Sequence, residues 1–238
     1  MTRIVVLDTE TTGEDPAAGA AVCEYAHSIV SVGPNGWYDG PIVEWLCNPG
    51  HPIPPEMSAI HHLRDADVEG CPTFAESAAT RDWSKVTHYC AHNAKFDRAF
   101  VGSVLPERPW VCTWRCASVL WPEAPNHKNQ TLRYWLNLDV VIKSGLAPHR
   151  AGYDVAVTAA LLIRMLRERT LEDLVDISSR PILLSTVHFG KHKGMRWADL
   201  DSGYLRWVLR QDFDEDARHT ARHWLDQRFS PAQSGLPL

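Results

Sequence analysis

The 238-residue sequence predicts an α/β fold whose sheet begins with antiparallel strands. Residues 4–7 are β-branched or aliphatic, which is typical of a buried strand. Residues 22–32 and 37–47 have a similar character, and the turn signal Gly33-Pro34-Asn35-Gly36 separates them. Strand-like segments at 86–91 and 110–113 follow, and helical segments lie between and after them.

Helices are predicted where apolar residues recur near a period of 3.6 or where a capping residue precedes an apolar segment. Asn93 and Thr131 are the predicted N-caps of two of these helices. The predicted segments are 57–63 (a short helix or turn), 74–85, 93–105, 114–120, 132–138 and 154–169.

The composition is that of an ordinary globular protein, with 45% hydrophobic and 22% charged residues. No apolar segment approaches the ~18 residues of a membrane span, and no signal peptide is evident, so we expect a cytoplasmic protein without a membrane partner. The six cysteines form no Cys-x-x-Cys pair and are expected to be reduced. The net charge of −5 does not by itself indicate nucleic-acid binding.

Two carboxylates stand at the end of the first strand, in the segment Leu7-Asp8-Thr9-Glu10. Alternate side chains of a strand share a face, so Asp8 and Glu10 point the same way. Like charges held together are costly unless a cation lies between them, and Mg²⁺ or Mn²⁺ suits oxygen ligands. The alternative is a solvated strand end in which each carboxylate pairs with a Lys or Arg.

Two further acids follow at helix starts. Asp97 lies in the first turn after Asn93, and Asp154 lies at the start of the late helix, five residues after His149. Asp97 could instead complement the helix dipole. Glu24, within the second strand, has two interpretations: an acid paired with a cation, or a buried acid near the metal site.

Three motifs occur in one order: Asp8-x-Glu10, His92-Asn93-x-x-Phe96-Asp97 and His149-x4-Asp154. Together they resemble the DEDDh 3′–5′ exonuclease family over about residues 1–168. The resemblance implies a ribonuclease H-like fold, with a mixed five-stranded sheet flanked by helices and the first three strands antiparallel. The acidic ligands of such an enzyme would also account for part of the negative charge.

The resemblance also implies roles for individual residues. Asp8 would bridge two divalent cations, Glu10 and Asp154 would complete the first site, and Asp97 would act on the second, partly through water. The two metals would stabilise the attacking and leaving oxygens at phosphorus, and His149 would deprotonate the water. The expected substrate contacts are Thr9, Thr11, His61, Asn93 and Phe96, although Phe96 is expected to pack rather than stack on a base.

The predicted division is an exonuclease domain at 1–168, a linker at 169–181, a small module at 182–226 and a flexible tail at 227–238. The module contains His188-Phe189-Gly190-Lys191-His192-Lys193-Gly194-Met195 and Gly203-Tyr204-Leu205-Arg206-Trp207-Val208-Leu209. With these segments it resembles the small C-terminal module of the exonuclease X group, bacterial DNA-degrading members of the family. Its segment Phe189-Gly190-Lys191-His192-Lys193-Gly194 predicts a basic turn whose lysines could contact phosphates. The alternative is a solvated hairpin, and the acidic run 212–216 argues against a uniformly basic surface.

The predicted activity is release of nucleoside 5′-monophosphates from the 3′ ends of DNA. The sequence leaves open an exoribonuclease or a proofreading subunit, because discrimination of the 2′-OH depends on pocket shape. Two other classes remain: a non-catalytic nucleic-acid-binding adaptor and a phosphodiesterase acting on small nucleotides. Oligomeric state and the choice between Mg²⁺ and Mn²⁺ also stay open.

Overall fold

The computed structural model describes residues 2–142 and 145–229. The chain divides into two compact units, one built from residues up to 116 with 124–178, and the other from 117–123 with the chain from 179 onward. Within the described residues, no helix is both long enough and apolar enough to cross a bilayer. The described cysteines are all free thiols, as expected.

The first unit contains a mixed sheet in the order β3-β2-β1-β5-β6, with β4 also paired to β2. β2 pairs antiparallel with β1, β3 and β4, whereas β1–β5 and β5–β6 are parallel, so the predicted antiparallel start is confirmed. The strands are β1 (Arg3–Thr11), β2 (Val22–Gly33), β3 (Gly36–Asp39), β4 (Val43–Leu46), β5 (His88–Ala91) and β6 (Trp110–Cys112).

The return strand predicted at 37–47 is divided in the structure. β3 ends at Asp39 and β4 begins at Val43, and both lie on the same edge of β2. Pro41 lies in the gap and has no N–H for a ladder hydrogen bond, which favours the interruption. The sheet therefore has the five predicted positions across its width, with the outermost position occupied by two short strands.

The six predicted helical segments all correspond to helices of the structure, but the described residues also contain α2, α8, α9 and α10, which were not predicted. α3 stops at Ala79 instead of 85, and α6 has Lys128 at its N-cap, so the predicted cap at Thr131 is wrong. The helices are α1 (Pro55–His61), α2 (Asp65–Val68), α3 (Phe74–Ala79), α4 (Ala94–Val101), α5 (Thr113–Leu120), α6 (Asn129–Trp135), α7 (Ala151–Leu166), α8 (Leu171–Ser179), α9 (Ser202–Arg210) and α10 (Glu215–Phe229).

Opposite faces of the sheet pack against different helices. Leu7 and Tyr25 are fully buried in a cluster that includes Ala94 and Phe100 of α4. Ala26 faces the other side, where it packs with Ala151 and Val155 of α7. Since Asp8 pairs with Ala26 in the β1–β2 register, Asp8 shares the face that α7 covers. The two helices thus bring their first turns to the end of β1 from both sides.

The second unit is built around a helix pair and an irregular hairpin. Trp197 is fully buried, and its indole N–H donates to the carbonyl of Thr186 at 3.1 Å. Val187 N–H donates to Met195 O at 2.8 Å and closes the hairpin. The backbone N–H of Leu184 donates to the hydroxyl of Thr220 at 2.9 Å, which ties the preceding segment to α10.

The predicted domain boundaries at 168 and 182 stay predictions. The segment between them, predicted as a linker, contains helix α8. The tail predicted from 227 overlaps the last three residues of α10, and residues 230–238 lie outside the described part of the chain.

Candidate metal centre and active site

Three predicted metal ligands meet at the end of β1. Asp8, Glu10 and Asp154 each present a ligand atom, and these atoms all lie within 4.8 Å of one another. Asp8 and Glu10 share a strand face as the alternation predicts, and α7 supplies Asp154 from its first turn. Residues 146 positions apart in the chain, Asp8 and Asp154, are adjacent only because α7 packs across β1 and β2.

The fourth acid, Asp97, approaches from α4. Its side chain is 2% exposed and accepts a 2.9 Å hydrogen bond from the Thr9 hydroxyl. This bond orients the carboxylate toward β1, and the charge of Asp97 contributes to the raised pKa of Asp8. The structure therefore brings all four predicted acids together, with Asp97 beside the group of three.

Burial raises the pKa of every acid in the group, and the charges of neighbouring acids raise the pKa values of Asp8, Glu10 and Asp154 further. Burial raises the pKa of Asp8 well above its ordinary value, and the charges of Asp97 and Asp154 raise it further. The pKa of Glu10 rises to about 9, mainly through burial and then through the charge of Asp154. Burial also raises the pKa of Asp97 to about 7 and shifts that of Asp154 upward. Clustered acids with such shifts are typical of sites that hold a cation.

The donor set fits a hard divalent cation. Asp8, Glu10 and Asp154 offer only oxygen atoms, which suit Mg²⁺ and Mn²⁺ better than softer metals. Cations between the carboxylates would remove the repulsion that raises their pKa values. The nearby His92 is already committed to protein partners, Thr113 Oγ1 and the carbonyl of His127, each at 2.9 Å.

Glu24 lies beside the four acids and is neutralised by Arg150. In the β1–β2 register Glu24 is directly opposite Glu10, an arrangement in which like charges repel. The Arg150 guanidinium donates from Nε at 3.2 and 3.0 Å and from Nη2 to the same carboxylate, whose side chain is only 3% exposed. Ala151 N–H adds a 3.0 Å bond. Glu24 is therefore a buried acid near the site, and it is not at an edge of the sheet, although it is paired with a cation.

The ion pair fixes the segment that carries His149 and Asp154. Arg150 occupies the N-cap position of α7, and the residue before it, His149, has a left-handed backbone with φ of 64°. The backbone N–H of His149 donates to Asp154 Oδ2 at 2.9 Å, and Gln130 donates to Asp154 Oδ1 at 3.3 Å. Hydrogen bonds to both carboxylate oxygens thus orient Asp154, whereas the His149 side chain is exposed.

The predicted substrate contacts fall into two groups. Thr11 is 2% exposed with its hydroxyl donating to Gly13 O at 2.6 Å, and Thr9 is engaged with Asp97. His61 is fully buried, accepts a 3.1 Å bond from Leu63 N–H and lies 3.7 Å from Cys23 Sγ. In this conformation the ring therefore has no access to a nucleotide, and its predicted contact stays a prediction.

Asn93 and Phe96 flank the start of α4. Asn93 occupies the N-cap position with φ of 68°, but its exposed side chain makes no capping hydrogen bond. The ring of Phe96 packs against Phe100, with centroids 5.0 Å apart, as expected for a packing role. The predicted substrate contact of Asn93 stays a prediction.

Comparisons with known proteins agree with this geometry. A family model described as Exonuclease (RNase T) matches residues 5–162, which contain all four acids and His149. The chain belongs to the DEDDh exonuclease family. It is 36% identical over 233 residues to Exodeoxyribonuclease 10 of Escherichia coli K12, across 93% of this chain and 98% of that protein.

Solved structures show the same fold in this exonuclease family. "Exonuclease X in complex with 5′ overhanging duplex DNA" matches with a TM-score of 0.61 and 34% identity, covering 74% of this chain and 99% of that one. A structure of exonuclease I matches with a TM-score of 0.59 over 91% of this chain and 61% of that one. Its 15% identity supports the fold alone.

Sequence reasoning missed two residues that shape the exonuclease site. Gln130 gave no signal, because it lies just before the predicted helix 132–138, where a single amide has many ordinary uses. Arg150 was visible only as one of several scattered basic residues. Its position directly after His149, combined with an acid inside the apolar strand β2, is the signal that could have identified the pair.

The first prediction concerns the pH dependence of stability in the absence of divalent cations. The pKa of Glu10 rises from 4.5 in the unfolded chain to about 9 on folding, so the folded state binds its proton more strongly. The contribution of Glu10 to the free energy of unfolding is complete below the pKa that Glu10 has in the unfolded chain, and it is lost as the pH rises through the pKa that Glu10 has in the folded protein. We expect the Tm in EDTA to fall from about pH 5 to pH 9.

The Glu10→Gln variant should lose part of this slope and be more stable than the parent at the alkaline end, as measured by thermal denaturation followed by circular dichroism. Glu69→Gln, which neutralises an exposed carboxylate, serves as the control and should keep the slope. Added Mn²⁺ should raise the Tm of the parent most at high pH. A Tm that rises with pH in EDTA would contradict the crowding of acids at this site.

The second prediction concerns the Glu24–Arg150 pair. Arg150→Met leaves a buried carboxylate without its cation beside Glu10, and loss of one partner of a buried pair costs about 3–5 kcal/mol. Urea denaturation should show this loss, and nuclease activity should fall because α7 loses its anchor. The double variant Arg150→Met with Glu24→Gln should recover much of the stability.

Arg64→Met is the matched control, because Arg64 and Asp67 form an exposed pair whose loss costs no more than about 1 kcal/mol. Equal destabilisation by Arg150→Met and Arg64→Met would show that the buried pair does not stabilise the site.

Proposed function

We propose that this exonuclease removes nucleoside 5′-monophosphates from the 3′ ends of DNA in a metal-dependent reaction. The observation that carries the proposal is the convergence of Asp8, Glu10 and Asp154 within 4.8 Å, with Asp97 beside them. Support for DNA comes from Exodeoxyribonuclease 10, which matches along almost its whole length, and from the DNA complex of Exonuclease X.

The proposed cofactors are two divalent cations, Mg²⁺ or Mn²⁺. Asp8, Glu10 and Asp154 would hold the first, and Asp97 together with Asp8 would hold the second. When bound, such a pair stabilises both the attacking and the leaving oxygen of a displacement at phosphorus. The protein itself keeps these ligands in place: Thr9 orients Asp97, and Gln130 orients Asp154.

His149 is the proposed general base. An imidazole accepts a proton readily near neutral pH, and this one is exposed, so it can pass the proton to solvent. Its backbone N–H is bonded to Asp154, which keeps the residue next to the acidic group. The next residue, Arg150, is held by its ion pair with Glu24. The backbone on one side of His149 is therefore fixed, while the His149 side chain is exposed.

The remaining parts of the proposal concern the substrate, the domains and the location. Thr11 and Asn93 would contact the terminal nucleotide, and RNA as a substrate stays open. The exonuclease domain would span 1–168 and the small module 182–226. A cytoplasmic location remains a prediction.

The deciding experiment is a digest of 3′-labelled and 5′-labelled DNA and RNA of one sequence, with Mg²⁺ and with EDTA. We expect immediate release of labelled mononucleotide from 3′-labelled DNA and a shortening ladder from 5′-labelled DNA, both abolished by EDTA. Asp97→Asn should abolish release, because the isosteric amide brings no negative charge to a cation. Asp226→Asn, an exposed residue of α10, is the matched control.

Full activity of Asp97→Asn, or release in EDTA, would overturn the metal assignment. Faster digestion of RNA than of DNA would identify an exoribonuclease. End binding by folded protein without any release would indicate an adaptor, and turnover restricted to dinucleotides would indicate a small-nucleotide phosphodiesterase.

A further prediction tests the base. His149→Ala should lower the rate of nucleotide release by about 10²–10⁴-fold, because the attacking water loses its proton acceptor. The Tm increase produced by Mn²⁺ should persist, since the four acids are intact. His219→Ala, another exposed histidine, should have the parental rate. A loss smaller than tenfold in His149→Ala would exclude this residue as the base.

A further inference from the structure

The second unit contains a strongly basic segment at the turn predicted from the sequence. Between Ser185 and Ala198 the chain has three Lys or Arg residues, two histidines and no acidic residue. Arg196 pairs with Asp199, whereas Lys191 and Lys193 are exposed and form no ion pair within the described chain. Two positive charges in this turn are therefore available to an anionic partner.

The backbone of this turn has a defined geometry. Gly190 and Gly194 have φ of 59° and 88°, values that residues with a Cβ rarely adopt. Gly194 N–H donates to Val187 O at 2.7 Å, and Lys193 N–H donates to Gly190 O at 3.2 Å. The turn between the glycines is a short 3₁₀ helix, Gly190–His192. The two lysines therefore extend from a constrained backbone rather than a free loop.

An aromatic cluster lies under the turn and connects its two ends. It consists of Phe189, His192, Tyr204, Trp207 and Phe213. Phe189 stacks on Phe213 with centroids 4.2 Å apart, and His192 meets Tyr204 edge-on at 4.3 Å. Trp207 contacts one ring of each pair, with centroid distances of 5.5 Å to Phe213 and 5.2 Å to Tyr204. Trp207 thus lies between a ring that contacts Phe189, the residue before the turn, and a ring that contacts His192, the residue between the two lysines.

Two large apolar side chains of this surface are more exposed than core residues of the same unit. Trp207 is 39% exposed and Met195, at the end of the turn, is 42% exposed, whereas Trp197 in the same unit is fully buried. Two acids near the cluster have partners: Asp214 pairs with His188 at 3.7 Å, and Asp201 accepts from Tyr204 N–H at 2.9 Å. Asp212, next to Phe213, is an exposed acid, whereas the exposed charges within the turn itself are those of Lys191 and Lys193.

A partly exposed indole near two exposed lysines matches the chemistry of a single strand of DNA. Unpaired bases stack on aromatic side chains, while the adjacent phosphates contact basic groups. A duplex offers phosphates but keeps its bases stacked inside, so the indole face favours single strands. We infer that the basic turn and the aromatic cluster form a binding site for single-stranded DNA that shares no residue with the acidic site; the inference rests on the proposed function, which makes DNA the substrate.

The test is the binding of a fluorescent oligodeoxythymidylate to the full-length protein in EDTA, followed by anisotropy over a range of salt concentrations. Lys191→Gln with Lys193→Gln should weaken binding, and the slope of log K against log salt should become shallower by about 1.4, or about 0.7 for each phosphate that a lysine no longer neutralises. Trp207→Leu should weaken binding about 5- to 150-fold, because the leucine side chain cannot stack on a base.

The matched control is Arg218→Gln with Arg222→Gln, an exposed pair on α10 that gives the same change in charge. The control should bind with the parental affinity and salt slope. Near-UV circular dichroism will show whether Trp207→Leu disturbs the cluster, and the lysine variant tests the site independently of that result.

Parental affinity in the lysine variant, equal weakening in the arginine control, or no binding by the parent protein would each overturn the inference. These outcomes differ from a failure of the proposed function, because binding is measured without divalent cations and does not depend on hydrolysis. Nucleotide release with unchanged binding in all variants would leave the exonuclease assignment standing and remove only the second site.

Discussion

The crowding of carboxylates at the end of β1 is the constraint on which the rest of this site depends. Asp8, Glu10 and Asp154 converge, Asp97 lies beside them, and Glu24 faces Glu10 across the β1–β2 ladder. So much like charge in a buried place costs free energy that only protons, a guanidinium or metal ions can offset. Arg150 neutralises one acid permanently, which leaves the others to protons or to cations.

This division of charge explains why a buried ion pair stands so close to a metal site. If Glu24 were unpaired, it would be a fifth acid competing for the same cations and raising the pKa of Glu10 still further. The Arg150 guanidinium removes that competition and also ties the start of α7 to β2. One interaction therefore sets both the electrostatics of the site and the position of Asp154 and His149.

The two units offer different kinds of surface to nucleic acid. The first concentrates negative charge, which attracts cations and reaches a phosphate only through them. The second presents lysines and aromatic rings, which in the proposed site would contact phosphates and bases directly. The global net charge of −5 conceals this contrast, because it sums an acidic group in one unit and a basic turn in the other.

The sequence by itself determined the antiparallel start of the sheet and the exonuclease family. Alternation placed Asp8 and Glu10 on one strand face, and three ordered motifs indicated the four acids, which the structure brings together, and His149, whose role stays a prediction. Local rules fail at short or interrupted segments, which is why the division of the 37–47 strand, the early end of α3 and the cap of α6 were not foreseen.

Only the tertiary structure decided the contacts between distant residues. The Glu24–Arg150 pair joins positions 126 apart, and Thr9 reaches Asp97 across 88 positions. Such contacts depend on which helix covers which face of the sheet, and no local pattern records that choice. For the same reason the sequence could propose His61 as a nucleotide contact, whereas packing against Cys23 and Leu63 buries its ring completely.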